Sequence, residues 1–381
     1  MYIMSKLPNV TTSIFTVMSK MASEYNAINL SQGFPNFPVD ERLTDIVARL
    51  SKENVHQYTP MAGYPPLMNK IAKLIKDSYK RTINPDLELL VTAGATQGIF
   101  TTILALVKEN DEVIILDPSY DSYESPVLLC KAKPVRVALN DDYTPNWETI
   151  EKACSEKSRM IIINNPHNPT GKILTENDFI QLKNLLEKYP DIIVLSDEVY
   201  EYITFEEKHI SAHTKDFLLD RCVMVSSFGK SFHITGWKIG YCVASKEITE
   251  AFRSIHQYLT FSVNTPAQYA LAKYLEVYDP EEAARSLQAK RDLLIEGLKS
   301  SSLRQLPVCT GTYFQLYDYS AISDLNDVEF AQWLTVDHKV ATIPLSAFYK
   351  RPQHDQVVRF CFAKKDEVIE KATHILRSIT G

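Results

Sequence analysis

The sequence has no apolar run approaching the roughly 20 residues that cross a bilayer, so no membrane-spanning helix is expected. It has no basic excess either. The net charge is -6, which argues against a nucleic-acid or membrane-surface partner, since either would want a positive patch. Six cysteines, at positions 130, 154, 222, 242, 309 and 361, form no C-x-x-C pair. Neither a zinc site nor a disulfide framework is signalled, and thiols scattered through apolar runs fit a reduced, cytoplasmic protein. The first residues, MYIMSKLPNV, carry no apolar core and no small-residue cleavage site, so no secretory signal is expected. Internal repeats and low-complexity tracts are missing. So is the G-x-G-x-x-G fingerprint, which disfavours a nicotinamide enzyme.

What remains is an ordinary globular composition, 45% hydrophobic and 23% charged, on 381 residues. That length predicts one large domain and a smaller one. Short apolar, β-prone runs at 89–91, 112–117, 133–139, 160–164, 192–196, 222–226 and 240–244 alternate with helical stretches. One such helix, 40–51, begins at an Asp40 cap. This alternation predicts an α/β fold, a mostly parallel sheet flanked by helices on both faces. After residue 280 the pattern changes to a charged helix, strand-like 311–317, a helix over 328–338, a strand over 357–362 and a last helix. That is a small α+β domain. An amphipathic helix over 13–24 is expected to share its layer. The expected division is therefore an N-terminal segment 1–40, a large domain 41–280 and a small domain 281–381.

Ligands of such sheets sit beyond the carboxyl ends of strands. The conspicuous polar residues follow strands: Gly94 to Thr96, Tyr120, Asn168, Asp197, Ser227 and Lys230. Lys230 lies between Gly229 and Ser231 after a buried run, with Lys238 eight residues on. An amine so placed can form a Schiff base with a carbonyl compound, if it is partly desolvated and close to other cations or phosphate. The stretch 92–98, TAGATQG, reads as a strand, a small-residue turn and a helix start, a cradle for an anion. A cofactor with an aldehyde, a pyridine ring and a phosphate would find its four needs met here. Lys230 supplies the amine. Asp197 supplies the acid that keeps the ring nitrogen protonated. Asn168 and Tyr200 supply donors to the phenolic oxygen, and Ala95, Thr96, Ser227 and Lys238 a phosphate site. Tyr120 offers a flat face for the ring. Arg359, inside an apolar strand, offers a fork for a substrate carboxylate.

Taken in sequence, N-P-H-N-P-T-G at 165–171, D-E-V-Y at 197–200, S-F-G-K at 227–230, T-G-W-K at 235–238 and R-F at 359–360 resemble the class I, fold-type I aminotransferases. The resemblance runs nearly the whole chain. Q-G-F-P, D-P-S-Y-D-S-Y and R-F-C-F-A-K are similar to the branch holding bacterial methionine aminotransferases and kynurenine–glutamine aminotransferases. It implies pyridoxal 5'-phosphate as cofactor and a homodimer with shared active sites. Tyr58 would then reach the partner's phosphate, and the loop from Phe261 to Asn264 would also cross the interface. Lys238 stands where many class members have arginine. It binds phosphate as a point charge without the bidentate fork.

The resemblance further implies a ping-pong transamination, with Lys230 as the general base at the substrate Cα and a 2-oxo acid as acceptor. The loop at Gly33 and Phe34 can close over a small ligand. With Phe15, Tyr58, Tyr120 and Phe261 it would make an aromatic side-chain pocket without a cation. Such a pocket suits methionine, phenylalanine, tyrosine or kynurenine, with glutamine and histidine also in range. Apolar pockets discriminate poorly among these. The nearest rival is a β-eliminating lyase for S-conjugates of cysteine, which would keep every cofactor contact.

Overall fold

The computed structural model describes residues 5–8, 12–350 and 356–380. In chain order the first strands are β1 (Ile28–Asn29), β2 (Leu89–Thr92), β3 (Glu112–Asp117), β4 (Lys133–Ala138), β5 (Ser158–Asn164), β6 (Ile193–Asp197), β7 (Cys222–Ser227) and β8 (Gly240–Val243). Strands β2 to β8 form one sheet in the order β2-β8-β7-β6-β5-β3-β4. Only β8 runs against its neighbours, β2 and β7; the other pairings are parallel. The fold is therefore the expected α/β architecture.

Every residue of β2 and β7 is buried, as strands covered on both faces must be. The two-residue side-chain period is visible in β3. Val113 and Ile115 pack with Ile99, Ile103 and Val127 on one face, while Ile114 and Leu116 pack with Phe179 and Leu182 on the other. On the latter face, Val91, Tyr241 and Val243 join Leu67 and Ile71. The carboxyl ends of the parallel strands share one edge of the sheet with the amino end of β8.

A second, antiparallel sheet is built from β9 (Arg304–Gln305), β10 (Phe314–Asp318), β12 (Ile343–Pro344) and β13 (Val357–Cys361), in the order β12-β13-β10-β9. Beside it β11 (Val340–Ala341) pairs in parallel with β1, which ties the N-terminal segment to this end of the molecule. Arg359 sits mid-strand in β13, opposite Leu316 and Ile343.

Several boundaries differ from the sequence reading by a residue or two, and one by more. The strand expected over 311–317 starts at Phe314, because Thr312 takes a left-handed conformation (φ 67°) and donates its N–H to Ile203 O at 2.9 Å. The helix before β5 is Trp147–Ala153, started by Asn146, whose side chain accepts from Thr149 N at 3.0 Å. The Asp40 cap is present and accepts from Arg42 N at 2.8 Å.

Candidate active site

The polar residues that follow the strands converge on a cavity of about 150 Å³. Ala95, Thr96, Tyr120, Asn168, Asp197, Tyr200, Ser227, Lys230 and Lys238 all line it. A second hollow adjoins it and shares Tyr120, Asn168, Tyr200 and Lys230; there Phe15, Gly33, Phe34 and Arg359 face the shared residues. Tyr58 and Phe261 line neither. They pack edge to face at 5.3 Å on the surface, and Tyr58 is 81% exposed.

The floor is set by register. Asn164 at the end of β5 pairs with Asp197 at the end of β6, which in turn pairs with Val225 of β7. Beyond β7, residues Phe228–Ser231 make one helical turn, started by Ser227, whose hydroxyl accepts from Gly229 N at 3.2 Å. That turn aims Lys230 back over the sheet edge, 5.6 Å from the centre of the Tyr200 ring. Burial lowers the Lys230 amine to about 8, with the Asp197 charge opposing the shift. Burial likewise raises Asp197 to about 6, although it accepts from Tyr123 OH at 2.6 Å and Val199 N at 3.3 Å. Tyr200 is held neutral by burial, its hydroxyl raised far above the usual phenol range.

The anion cradle lies at the start of the helix Gly94–Leu106. Ala93 precedes it without a side-chain cap, so its first N–H groups face the cavity unclaimed by a cap. Gly94 has φ 77°, and a Cβ there would meet Lys238 Nζ at 3.4 Å. The Lys238 amine therefore stands over the helix end, where dipole and cation act on the same ligand.

Arg359 is 1% exposed, and burial pulls its guanidinium down to about 10, still a cation at neutral pH. Its Nη1 donates to Asn168 Oδ1 at 2.6 Å and its Nη2 to Ser31 O at 3.2 Å, while Nε has no partner. Phe314, Phe348 and Phe15 surround it at 3.7, 5.0 and 5.4 Å. Among the described residues no carboxylate lies within ion-pair distance.

Sequence reasoning missed Tyr123, the hydrogen-bond partner of Asp197, though it stands three residues after Tyr120 in the same loop. It also missed Asn164 and Thr235 in the inner wall and Phe314 under Arg359. Asn164, the last residue of a buried strand, carried the same positional signal as Asp197.

A desolvated lysine, a buried acid and an anion cradle at the carboxyl edge of a mostly parallel sheet define a fold-type I enzyme acting on amino groups. The chain belongs to the aminotransferase class I and II family, whose profile matches residues 25–376. It is 45% identical over 380 residues to a methionine aminotransferase of Escherichia coli (strain K12), covering 98% of each chain. It is 34% identical to a kynurenine–oxoglutarate transaminase of Dictyostelium discoideum, covering 94% of this chain and 92% of that one. The crystal structure of YbdL from Escherichia coli, for which a methionine aminotransferase function was identified, matches 100% of both chains with a TM-score of 0.96 at 44% identity.

Proposed function

We propose that this aminotransferase uses pyridoxal 5'-phosphate to move the amino group of an apolar or aromatic L-amino acid, methionine foremost, to a 2-oxo acid. The cofactor fits the donor set: an uncapped helix start with Lys238 and Ser227 for the phosphate, Asp197 for the pyridinium and Lys230 for the aldehyde. Asn168 and Tyr200 would hold the phenolic oxygen, and Tyr120 would cover the ring. When bound, the cofactor supplies an electron-withdrawing pyridinium that stabilises negative charge at the substrate Cα.

The chain's own residues do the rest. Arg359 binds the substrate carboxylate through its fork and fixes the Cα next to Lys230. The Lys230 amine, brought by burial to about 8, is close enough to neutrality to take the Cα proton at Nζ. Tyr123 holds the Asp197 carboxyl by a 2.6 Å bond, so the acid keeps one orientation. Phe15, Gly33 and Phe34 receive the side chain.

The observation that carries this reading is Arg359: a buried guanidinium with no carboxylate among its partners, walled by aromatic rings. A buried unpaired charge is costly, and a substrate carboxylate completes it. Among the described residues the only cations lining this hollow are Arg359 and Lys230, and Asp121 lines it as well, so acidic side chains gain nothing there. A homodimer would bring the exposed Tyr58 and Phe261 to the partner's site and complete both.

A donor screen tests the proposal. Methionine, phenylalanine, tyrosine, kynurenine, glutamine, histidine and aspartate are each offered with several 2-oxo acids, and the oxo-acid product is followed. Turnover highest for methionine or an aromatic donor supports it, and a strong preference for aspartate overturns it. Pyruvate released from an S-alkyl cysteine would point instead to β-elimination.

A further inference from the structure

Four successive backbone carbonyls, from Ser31 to Phe34, are each held by a buried donor from residues 313–364. Arg359 Nη2 donates to Ser31 O at 3.2 Å, and Tyr313 OH to Gly33 O at 2.6 Å. Lys364 Nζ donates to both Gln32 O at 3.2 Å and Phe34 O at 2.8 Å. The three donors are between 0% and 2% exposed. The tied loop in turn holds the helix Ile14–Glu24, because Gln32 Nε2 donates to Phe15 O at 2.9 Å. Gly33 lies so close to β10 that a Cβ there would stand 2.8 Å from the Phe314 ring. Lys364 therefore supplies two of the four ties that hold the wall facing Arg359.

Lys364 is an odd residue to bury. Among the described residues no carboxylate lies within ion-pair distance of its amine, and its recorded hydrogen-bond partners are the two loop carbonyls. Removing an ammonium from water without a counter-charge is expensive. An apolar side chain of similar length would pack the site without that cost, but it would leave Gln32 O and Phe34 O free and the loop tied only at Ser31 and Gly33. We propose that Lys364 is a positioning residue for substrate selection. It holds the Gln32–Phe34 loop at the distance from Arg359 into which an apolar amino-acid side chain fits. The inference rests on the reading of Arg359 as the carboxylate fork and of Phe15, Gly33 and Phe34 as the side-chain wall.

Lys364→Met and Lys364→Arg, loaded with cofactor, test this beside the unaltered enzyme, with methionine, phenylalanine and alanine as donors. Alanine is the control, since its one-carbon side chain does not reach the loop. Loss of a charged hydrogen-bond donor predicts a rise of roughly tenfold in KM for methionine and phenylalanine with Lys364→Met, against little change for alanine. The kcat values should stay within about threefold, since the loop touches no reacting atom. The absorption of the bound cofactor and its pH titration should not move. Lys364→Arg, which keeps a cationic donor, should recover part of the methionine-to-alanine preference. If Lys364→Met does not fold, the same ratio is read on Tyr313→Phe, which removes only the hydroxyl tie to Gly33 and should lower the preference less. An unchanged ratio, or an equal loss for all three donors, overturns the proposal. Failure of the underlying function is told apart at once, because the unaltered enzyme would then turn over neither methionine nor phenylalanine.

Discussion

Arg359 and Asn168 stand 191 residues apart in sequence, and the Arg359 Nη1 donates to the Asn168 Oδ1 at 2.6 Å. Asn168 lies in the loop after β5, at the edge of the large sheet, and Arg359 lies in the middle of the small one. The contact makes one unit of the group that would hold the substrate carboxylate and the group that would hold the cofactor ring. With Oδ1 taken by the guanidinium, the amide nitrogen of Asn168 is left to donate into the cavity. A carboxylate arriving at Arg359 therefore meets a fork whose orientation is already fixed.

Replacing Arg359 by lysine should show how much that geometry contributes. Lysine keeps a charge but loses the planar fork and the stacking on Phe314, 3.7 Å away. Truncating one partner of a buried charge pair costs about 2–5 kcal/mol, so kcat/KM should fall by roughly 30-fold to 5,000-fold. The fall should be shared by every amino acid and every 2-oxo acid, since all carry the carboxylate. Steady-state kinetics check this, with cofactor absorption as the control for an intact inner site. A change confined to one donor would assign Arg359 to the side chain instead.

The Lys230 amine, lowered to about 8 by burial, sets how the cofactor-free protein takes up pyridoxal phosphate. Only the neutral amine adds to an aldehyde. The initial rate of uptake should rise about tenfold per pH unit below 8 and level off above it. Stopped-flow absorbance gives the profile. Borohydride reduction followed by peptide mapping should place the adduct on residue 230, and Lys230→Ala should yield none. A midpoint near the ordinary lysine value would mean that burial does not tune this amine.

Asp197 should cost the cofactor-free protein stability. Its carboxyl is raised by burial from 3.8 to about 6, so the folded protein binds this proton more tightly than the unfolded chain does. Stability then falls as pH climbs from about 4 to about 6, and the penalty is complete above that window. Asn cannot ionise, so Asp197→Asn should stabilise the cofactor-free protein at pH 8 by roughly 2–3 kcal/mol, with no gain near pH 4. The same variant should be close to inactive, because an amide cannot hold the ring nitrogen protonated. Thermal melts at the two pH values, without cofactor, decide it. Equal melting shifts at pH 4 and pH 8 would remove the electrostatic explanation.

The parts legible in the sequence were those dictated by local chemistry. Strands such as β5 and β7 are buried on both faces, so they stand out as apolar runs, and the polar residues just past them were visible for the same reason. Spatial order was not legible. Nothing local says that β8 inserts, reversed, between β2 and β7 and so brings Lys238 over the Gly94 helix start. Contacts between distant polar residues were hidden as well. The Tyr123–Asp197 bond spans 74 residues and the Lys364–Phe34 bond 330, and a lone tyrosine or lysine gives no sign of its partner. The late start of β10 turned on the single left-handed residue Thr312, a backbone choice that side-chain patterning cannot reveal.

Shared sites can be tested by mixing inactive subunits. If Tyr58 serves the neighbouring subunit's phosphate, its 81% exposure on the isolated chain is the unburied half of an interface. Lys230→Ala dimers should be dead, and Tyr58→Ala dimers should bind cofactor weakly. In a hybrid of the two, the site carrying the intact Lys230 receives its Tyr58 from the Lys230→Ala subunit, which is unaltered at that position. The other site carries both lesions. Random reassembly makes about half of all dimers hybrid, each with one of its two sites whole, so activity should return to roughly a quarter of the unaltered level. Recovery on mixing, measured with methionine after brief denaturation and refolding of the pooled subunits, would place Tyr58 across the interface. If Tyr58 instead served its own subunit, every site in the mixture would carry a lesion and no activity would return.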